Sequence, residues 1–302
     1  MSIVKTYPDY EAYRWWMSAW LQKKMDFFVP RVWAIIDEKP LRMLDIGCCN
    51  GDLVLGLKKT FPLHQFTWID LDATFVAEAQ EKAQREWIDA EFICWDASNL
   101  RQIEDFSIDA ILLSSVIHEL YSYWWDKFDR WFLKKVFTEF RRILRSWWEI
   151  IGRDPAMPHD PHKKFKLEFS ELETNSWGEI QTLSLLSKWK RFLWDFDPAR
   201  DHQAETGIWP LWLINEFLRH IKFAKSEARW SFELREQYGV MTEDQWKVFI
   251  WELDFKVKNI QTTHLTESRI PLGEMQLYDS DGTPVKDIDI LPRNIILELI
   301  KP

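Results

Sequence analysis

Glycine is scarce in this chain, 9 of 302 residues, where ordinary usage of about 7% would supply roughly 21. Cysteine is scarcer, with 3 residues at positions 48, 49 and 94. Three thiols without Cys-x-x-Cys spacing build neither a disulfide framework nor a cysteine zinc site, and they predict a reducing, cytoplasmic setting. His159 and His162 in PHDPHKK have no third ligand suggested nearby, so no metal is expected. No apolar run approaches the roughly 20 residues that cross a bilayer, and the start, MSIVKTYPDYEAYRWW, carries acids and aromatics where a signal peptide needs a basic, then apolar, stretch. Neither membrane association nor secretion is expected. An excess of positive charge is also missing. The formal net charge is -9, which disfavours nucleic acid as a partner.

What is present reads as an ordinary globular chain, 46% hydrophobic and 29% charged. Residues 9–37 space Tyr10, Tyr13, Met17, Leu21, Met25, Phe28 and Ile35 at helical intervals, with Pro30 starting or kinking a second helix. After Lys39-Pro40, short apolar runs alternate with longer helical stretches. Candidate strands are Arg42 to Ile46, Gln65 to Ile69, Ala90 to Cys94, Ala110 to Ser114 and Glu149 to Arg153, with helices between them. Right-handed crossovers would put those helices on both faces of a parallel sheet, a doubly wound α/β fold. Beyond Pro155 the alternation stops, and residues 156–235 read as a mostly helical insert. Thr242 is placed to cap a helix, and Phe255 to Thr263 and Asn294 to Ile300 alternate like strands.

Asp45-Ile46-Gly47-Cys48-Cys49-Asn50-Gly51 joins the first strand to the first helix of the sheet. Such a turn brings backbone close to a ligand, and its glycines are expected to leave ligand space clear. Asp45 offers a carboxylate to a cationic amine. Asp70, ending the second strand, can accept hydrogen bonds from two ribose hydroxyls, and Asp96, ending the third, from an adenine amino group. Ligands of open parallel sheets bind beyond the carboxyl ends of the strands, so the three acids share one edge.

LDIGCCNG, WIDLD, ICWDAS and IDAILLSSVIHEL resemble the successive motifs of class I S-adenosylmethionine-dependent methyltransferases over about residues 41–154. The resemblance implies a mostly parallel seven-stranded sheet closed by an antiparallel C-terminal hairpin, at about 254–266 and 293–300, with N-terminal helices and an inserted helical cap. It implies S-adenosylmethionine as cofactor, with Asp45, Gly47 and Gly51 at the methionine part, Asp70 at the ribose, Asp96 and Ala97 at the adenine, Ser114 at the floor, and Cys48, Asn50 and Leu71 also cofactor-binding. Tyr121, Arg153 and Asp154 would border the acceptor. His118 and Glu119 are the candidates for a proton-accepting role, should the acceptor need one. The expected domains are an N-terminal lid over 1–40, the cofactor-binding domain over 41–155 and 236–302, and the cap over 156–235 on the substrate side. A small-molecule acceptor is expected. The rival readings are a nicotinamide-dependent oxidoreductase, against which Gly47-x-x-x-Gly51 lacks the Gly-x-Gly-x-x-Gly spacing, and a binding protein without turnover.

Tryptophan, at 20 residues, is in surplus by about the number of missing glycines. Trp68, Trp95 and the pair Trp147-Trp148 stand in or beside turns, and Trp147-Trp148 falls where the family usually has Gly-Gly. This is the pattern of a gene whose UGA codons, read as Gly in some bacterial lineages, are rendered as Trp. If the residues are Trp, Trp68 and Trp95 are positioned to stack on adenine.

Overall fold

The computed structural model describes residues 19–36, 38–47, 49–122, 128, 130–170, 180–196, 207–223, 226–270 and 274–302. Residues 1–18 of the expected lid lie outside them. The first half alternates as its hydrophobic pattern predicts: α1 (Leu21–Ile35), β1 (Arg42–Ile46), α2 (Asp52–Thr60), β2 (Gln65–Asp70), α3 (Ala73–Arg85), β3 (Glu91–Cys94), β4 (Ile108–Ser114), α4 (Ile117–Ser122), α5 (Arg130–Ile143) and β5 (Leu144–Pro155). The second half contributes β6 (Lys164–Phe169), α6 (Leu185–Asp195), β7 (Ile208–Pro210), α7 (Leu211–Phe223), α8 (Glu227–Glu233), α9 (Glu243–Glu252), β8 (Lys256–His264), β9 (Met275–Tyr278), β10 (Pro284–Val285), α10 (Asp287–Ile290) and β11 (Pro292–Ile300). Pro30 neither starts nor ends a helix; α1 runs through it.

The main sheet has the order β3-β2-β1-β4-β5-β11-β8. The first five strands pair in parallel, and β11 lies antiparallel to both β5 and β8, which is the expected closing hairpin. Strand order reverses between β1 and β4, the place where such sheets bind ligands. β4 shows why the sheet is covered on both faces: Ala110 and Leu112 pack with α1, α2 and α3 residues such as Phe28, Val54 and Ala79, while Ile111 and Leu113 pack with α5 and α9 residues such as Phe137 and Phe249. With the strand period of 2, one buried run serves two cores. Thr242 caps α9 in a capping box, accepting from Gln245 N at 3.2 Å while Gln245 Oε1 accepts from Thr242 N at 3.0 Å.

The insert is not purely helical. β6 and β7 form a second, four-stranded sheet with β9 and β10, in the order β10-β9-β6-β7. β6 reads Lys-Phe-Lys-Leu-Glu-Phe, with Phe165 and Leu167 buried beside Trp189, Phe192, Phe217 and Leu277. The cap therefore draws on residues 156–235 and on the segment between β8 and β11.

Two tryptophans occupy left-handed backbone: Trp87 at φ 56 and Trp147 at φ 71. Trp87 follows the C-cap of α3; its N–H donates to Gln84 O at 3.2 Å and that of Ile88 to Ala83 O at 2.9 Å, the helix-ending motif whose left-handed residue is usually Gly. Its side chain is 94% exposed and supplies no packing to offset the strain. Trp87→Gly should therefore raise the melting temperature by about 1–3 °C, from relief of about 1 kcal/mol; a lower value by calorimetry would contradict the strain. A mass spectrum of protein made in its own cells with Gly at 87 and 147 would trace both residues to codon reading. Trp68 is wholly buried against Phe66 and Phe92 with its indole N–H unbonded. It lies in the core under the helices and is out of reach of an adenine, contrary to the stacking role expected of it. Trp95 remains 44% exposed beside Asp96.

Candidate active site

The register of the parallel strands brings the expected residues to one edge. Ile46 lies beside Ile69 and Leu113, Asp70 beside Cys94, and Ser114 beside Arg153, so the 47–51 loop, Asp70, Asp96, Ser114 and Arg153 all emerge at the carboxyl ends. Gly47, at φ 72, anchors the loop by donating to Ile69 O at 2.8 Å. A Cβ there would lie 2.4 Å from Val116 Cγ2, and one on Gly51, at φ 77, would lie 2.7 Å from the Ala79 Cβ. Both glycines thus let the loop pack against the 116 segment and α3. Asn50 is buried and ties the loop to Asp52 at 2.9 Å. Cys48 lies outside the described residues.

Asp45 is buried, and its Oδ1 has no hydrogen-bond partner among the described residues. Burial, reinforced by the Asp70 charge and opposed by the ammonium of Lys24, pushes its carboxyl up to about 8. Lys24, from α1, is lowered by burial and by Arg153, while the charges of Asp45 and Asp52 favour its ammonium form. Asp70 Oδ2 accepts from Cys49 N at 2.8 Å and Oδ1 from Asp72 N at 2.9 Å. Burial still raises Asp70 to about 6 against those two bonds. Leu71 beside it is 41% exposed. Asp96 Oδ1 accepts from Ser98 N at 2.8 Å, with Ala97 buried next to it. Ser114 is buried, and its hydroxyl lacks a partner among the described residues.

The remaining candidates divide. Glu119 is half-buried and its charge is felt at Asp70 and Cys49, which places it toward the loop. Tyr121 instead faces the cap, lining a cleft of about 320 Å³ with Arg130, Met157, His162, Trp212 and Gln237. Arg153, partly buried, lies near the end of its strand at the shared edge. Asp154 is buried: its carboxylate accepts from the N–H groups of Ile117 at 2.5 Å and His118 at 3.1 Å and meets His118 Nδ1 at 2.6 Å. His118 Nε2 lies 3.5 Å from Glu236 Oε2. Burial opposes charge on the ring, but the two carboxylates win and raise its pKa well above the ordinary value. A buried imidazolium between two carboxylates is a poor proton acceptor, so the pair His118–Asp154 ties α4 to β5 and to the segment after α8. Among the described residues no three His, Cys, Asp or Glu side chains converge as a metal site, and no helix is long and apolar enough to cross a membrane.

Sequence reasoning missed Lys24, which sits in an amphipathic helix with nothing local to distinguish it, and Glu236, which lies outside every motif. Residues 44–146 match the family model described as a methyltransferase domain. A methyltransferase-named protein of Geobacillus sp. (strain WCH70) is 24% identical over 168 residues, 53% of this chain and 60% of that protein; the chain thus spans about 60% of that relative's length. In fold, it is similar to an S-adenosylmethionine-dependent methyltransferase from Methanosarcina mazei, with TM-score 0.51, 16% identity, and coverage of 90% of this chain and 97% of that one. The YcgJ protein of Bacillus subtilis is similar too, with TM-score 0.51, 13% identity, and coverage of 93% and 98%. Residues 44–146 thus match a methyltransferase domain, and they lie in a sheet whose strand order and strand-end acids resemble those of class I S-adenosylmethionine-dependent methyltransferases.

Proposed function

We propose that this chain binds S-adenosylmethionine at the carboxyl edge of the sheet and passes its methyl group to a small-molecule acceptor. The observation that carries the reading is Asp45, a buried carboxylate with one oxygen unbonded at the foot of the 47–51 loop. A buried acceptor without a donor is costly, and the cofactor's α-ammonium supplies one. The chain's residues fit the rest of that group: Asp70 keeps lone pairs for ribose hydroxyls beyond its two backbone bonds, exposed Leu71 offers an apolar surface to the adenine, Asp96 and Ala97 border its amino edge, and the unbonded Ser114 hydroxyl closes the floor.

When bound, the cofactor supplies an electrophilic methyl on a sulfonium, displaced in line by the acceptor. The protein's task is then to align nucleophile and methyl and to keep water out. With His118 held as a cation, Glu119 is the carboxylate at hand for any proton the acceptor must lose.

Asp70→Ala should weaken binding of S-adenosylhomocysteine about 10–100-fold by titration calorimetry, the loss expected for charged hydrogen bonds. An unchanged affinity would remove Asp70 from the site. Tight binding of a nicotinamide cofactor instead would overturn the reading, and cofactor binding without methyl release from any acceptor in cell extract would reduce it to a binding protein.

A further inference from the structure

The chain is acidic overall, yet basic side chains gather beside the cofactor edge. Arg153 lies near the end of β5, and Arg293 is the second residue of the neighbouring strand β11, where Ile296 is paired with Arg153. From the cap, Arg219 of α7 donates through Nη2 to Ala156 O at 3.2 Å, Pro292 O at 3.2 Å and Arg293 O at 2.9 Å. Arg269 donates through Nη2 to the same Pro292 O at 2.6 Å and through Nη1 to Asn215 Oδ1 at 2.9 Å. Two guanidinium groups therefore share one carbonyl, and both bond to neutral acceptors.

Burial lowers Arg219 to about 10 although the charges of Glu216 and Asp154 favour its cation, and like charges bear on its neighbours. Burial, then Arg219, lowers Arg269 to about 8. Burial, then Arg293, lowers Arg153, and burial followed by Arg269, Arg293, Arg219 and Lys23 lowers Lys222. Three carboxylates offset part of this charge while also accepting from backbone amides: Asp287 from Arg269 N and Ile270 N, Glu216 from Tyr238 N and Gly239 N, and Asp154, paired with His118, from the α4 N-terminus. Arg219 is 7% exposed, and its Nε has no partner among the described residues. Like charges are brought together with neutral partners only at an energetic cost, and a bound anion removes that cost.

We infer that the Arg153–Arg219–Arg269–Arg293 cluster is the anchor for an oxyanion, a carboxylate or phosphate carried by the methyl acceptor. The inference rests on the methyl-transfer reading for its link to the acceptor, but the anion site itself does not. Planar guanidinium groups suit such oxyanions by paired N–H donation. Arg153 connects the two halves of the site: it pairs in register with Ser114 of β4 and with Ile296 of β11, so an anion held by the cluster lies beside the strand ends that carry the 47–51 loop and Ser114.

The test is titration of the full chain with inorganic phosphate and, separately, with malonate, against chloride at matched ionic strength. The readouts are thermal shift and calorimetry, with S-adenosylhomocysteine binding measured on the same samples. The expected result is saturable stabilisation by at least one oxyanion, weakened tenfold or more in Arg293→Gln and in Arg153→Gln, with cofactor binding in Arg293→Gln staying within threefold. Arg293→Gln is the informative variant should others fold poorly, since only its backbone carbonyl takes part in the bonds above. Phosphate response alone assigns a phosphorylated acceptor and malonate response alone a carboxylic one. No stabilisation beyond chloride, or equal stabilisation in both variants, overturns the inference even when the cofactor binds. Loss of cofactor binding with anion binding intact would instead sink the methyl-transfer reading. A short RNA that binds where neither small anion does would also overturn it.

Discussion

Asp45→Asn should make the cofactor-free protein more stable and remove its grip on the cofactor, two large effects of opposite sign. The carboxyl of Asp45 is pushed from 3.8 to about 8 in the folded protein, mainly by burial. Between roughly pH 4 and pH 8 the folded chain therefore holds a proton that the unfolded chain has released, and native stability falls as pH rises through that window. Asn is a neutral isostere of the protonated form and escapes this loss. The expected gain is about 2–4 kcal/mol at pH 8, shrinking to little near pH 4. The Lys24 ammonium keeps the favourable charge of Asp52 when the Asp45 carboxylate is gone. Cofactor binding needs the ionised carboxylate opposite an ammonium, so the same variant should lose about 100-fold or more in affinity. For the wild type, affinity should climb with pH up to about 8, with release of a proton on binding. Denaturant unfolding across pH 4–9 together with calorimetry in buffers of different ionisation enthalpy checks both. A variant less stable than wild type at pH 8, or one that binds within threefold, would contradict the account.

His118→Gln should cost about 3–5 kcal/mol, because it strands the carboxylates of Asp154 and Glu236 in the interior. The sign of the pH dependence follows from the raised pKa of His118. Its contribution is fully present below the unfolded value of roughly 6.5 and is lost as pH rises through the higher folded value. The stability gap between wild type and variant should therefore be widest at about pH 6 and narrow in alkali. Unfolding curves with a gap under about 1 kcal/mol at pH 6, or a gap that widens with pH, would refute the paired-imidazolium description. A second readout separates a positioning residue from a proton acceptor: assayed at low temperature where it stays folded, the variant should keep the pH profile of kcat.

The parallel sheet, its closing hairpin and the three strand-end acids were all legible because each depends on local pattern: short apolar runs, helical spacing between them, and a polar residue where the run stops. Asp154 shows the limit. Its place near the end of the fifth strand was legible, but its partners, Ile117 and His118, open α4 beyond the neighbouring strand β4, and strand pairing is not written in the spacing. The same holds for Glu236 and Arg269, which reach the site only through the packing of the cap. For the glycines, composition identified the positions, but which atoms they must clear emerged only from Val116 and Ala79. The β6 alternation was readable in Lys-Phe-Lys-Leu-Glu-Phe. Its partner β9 lies more than a hundred residues downstream, where no local signal points back to it.

That pairing has a consequence for biogenesis. The smaller sheet joins β6 and β7 to β9 and β10, and β9 leaves the ribosome only after α9 and β8. A nascent chain can complete the five parallel strands while β6 still has an open edge, and the pairing of Leu167 with Leu277 is among the last to form. Until then β6 is an unpaired edge carrying buried-type aromatics, the kind of surface that invites aggregation. Nor can the cap be transplanted as residues 156–235 alone, since the piece would lack half of its strands; a graft that keeps its shape must carry residues 275–291 as well.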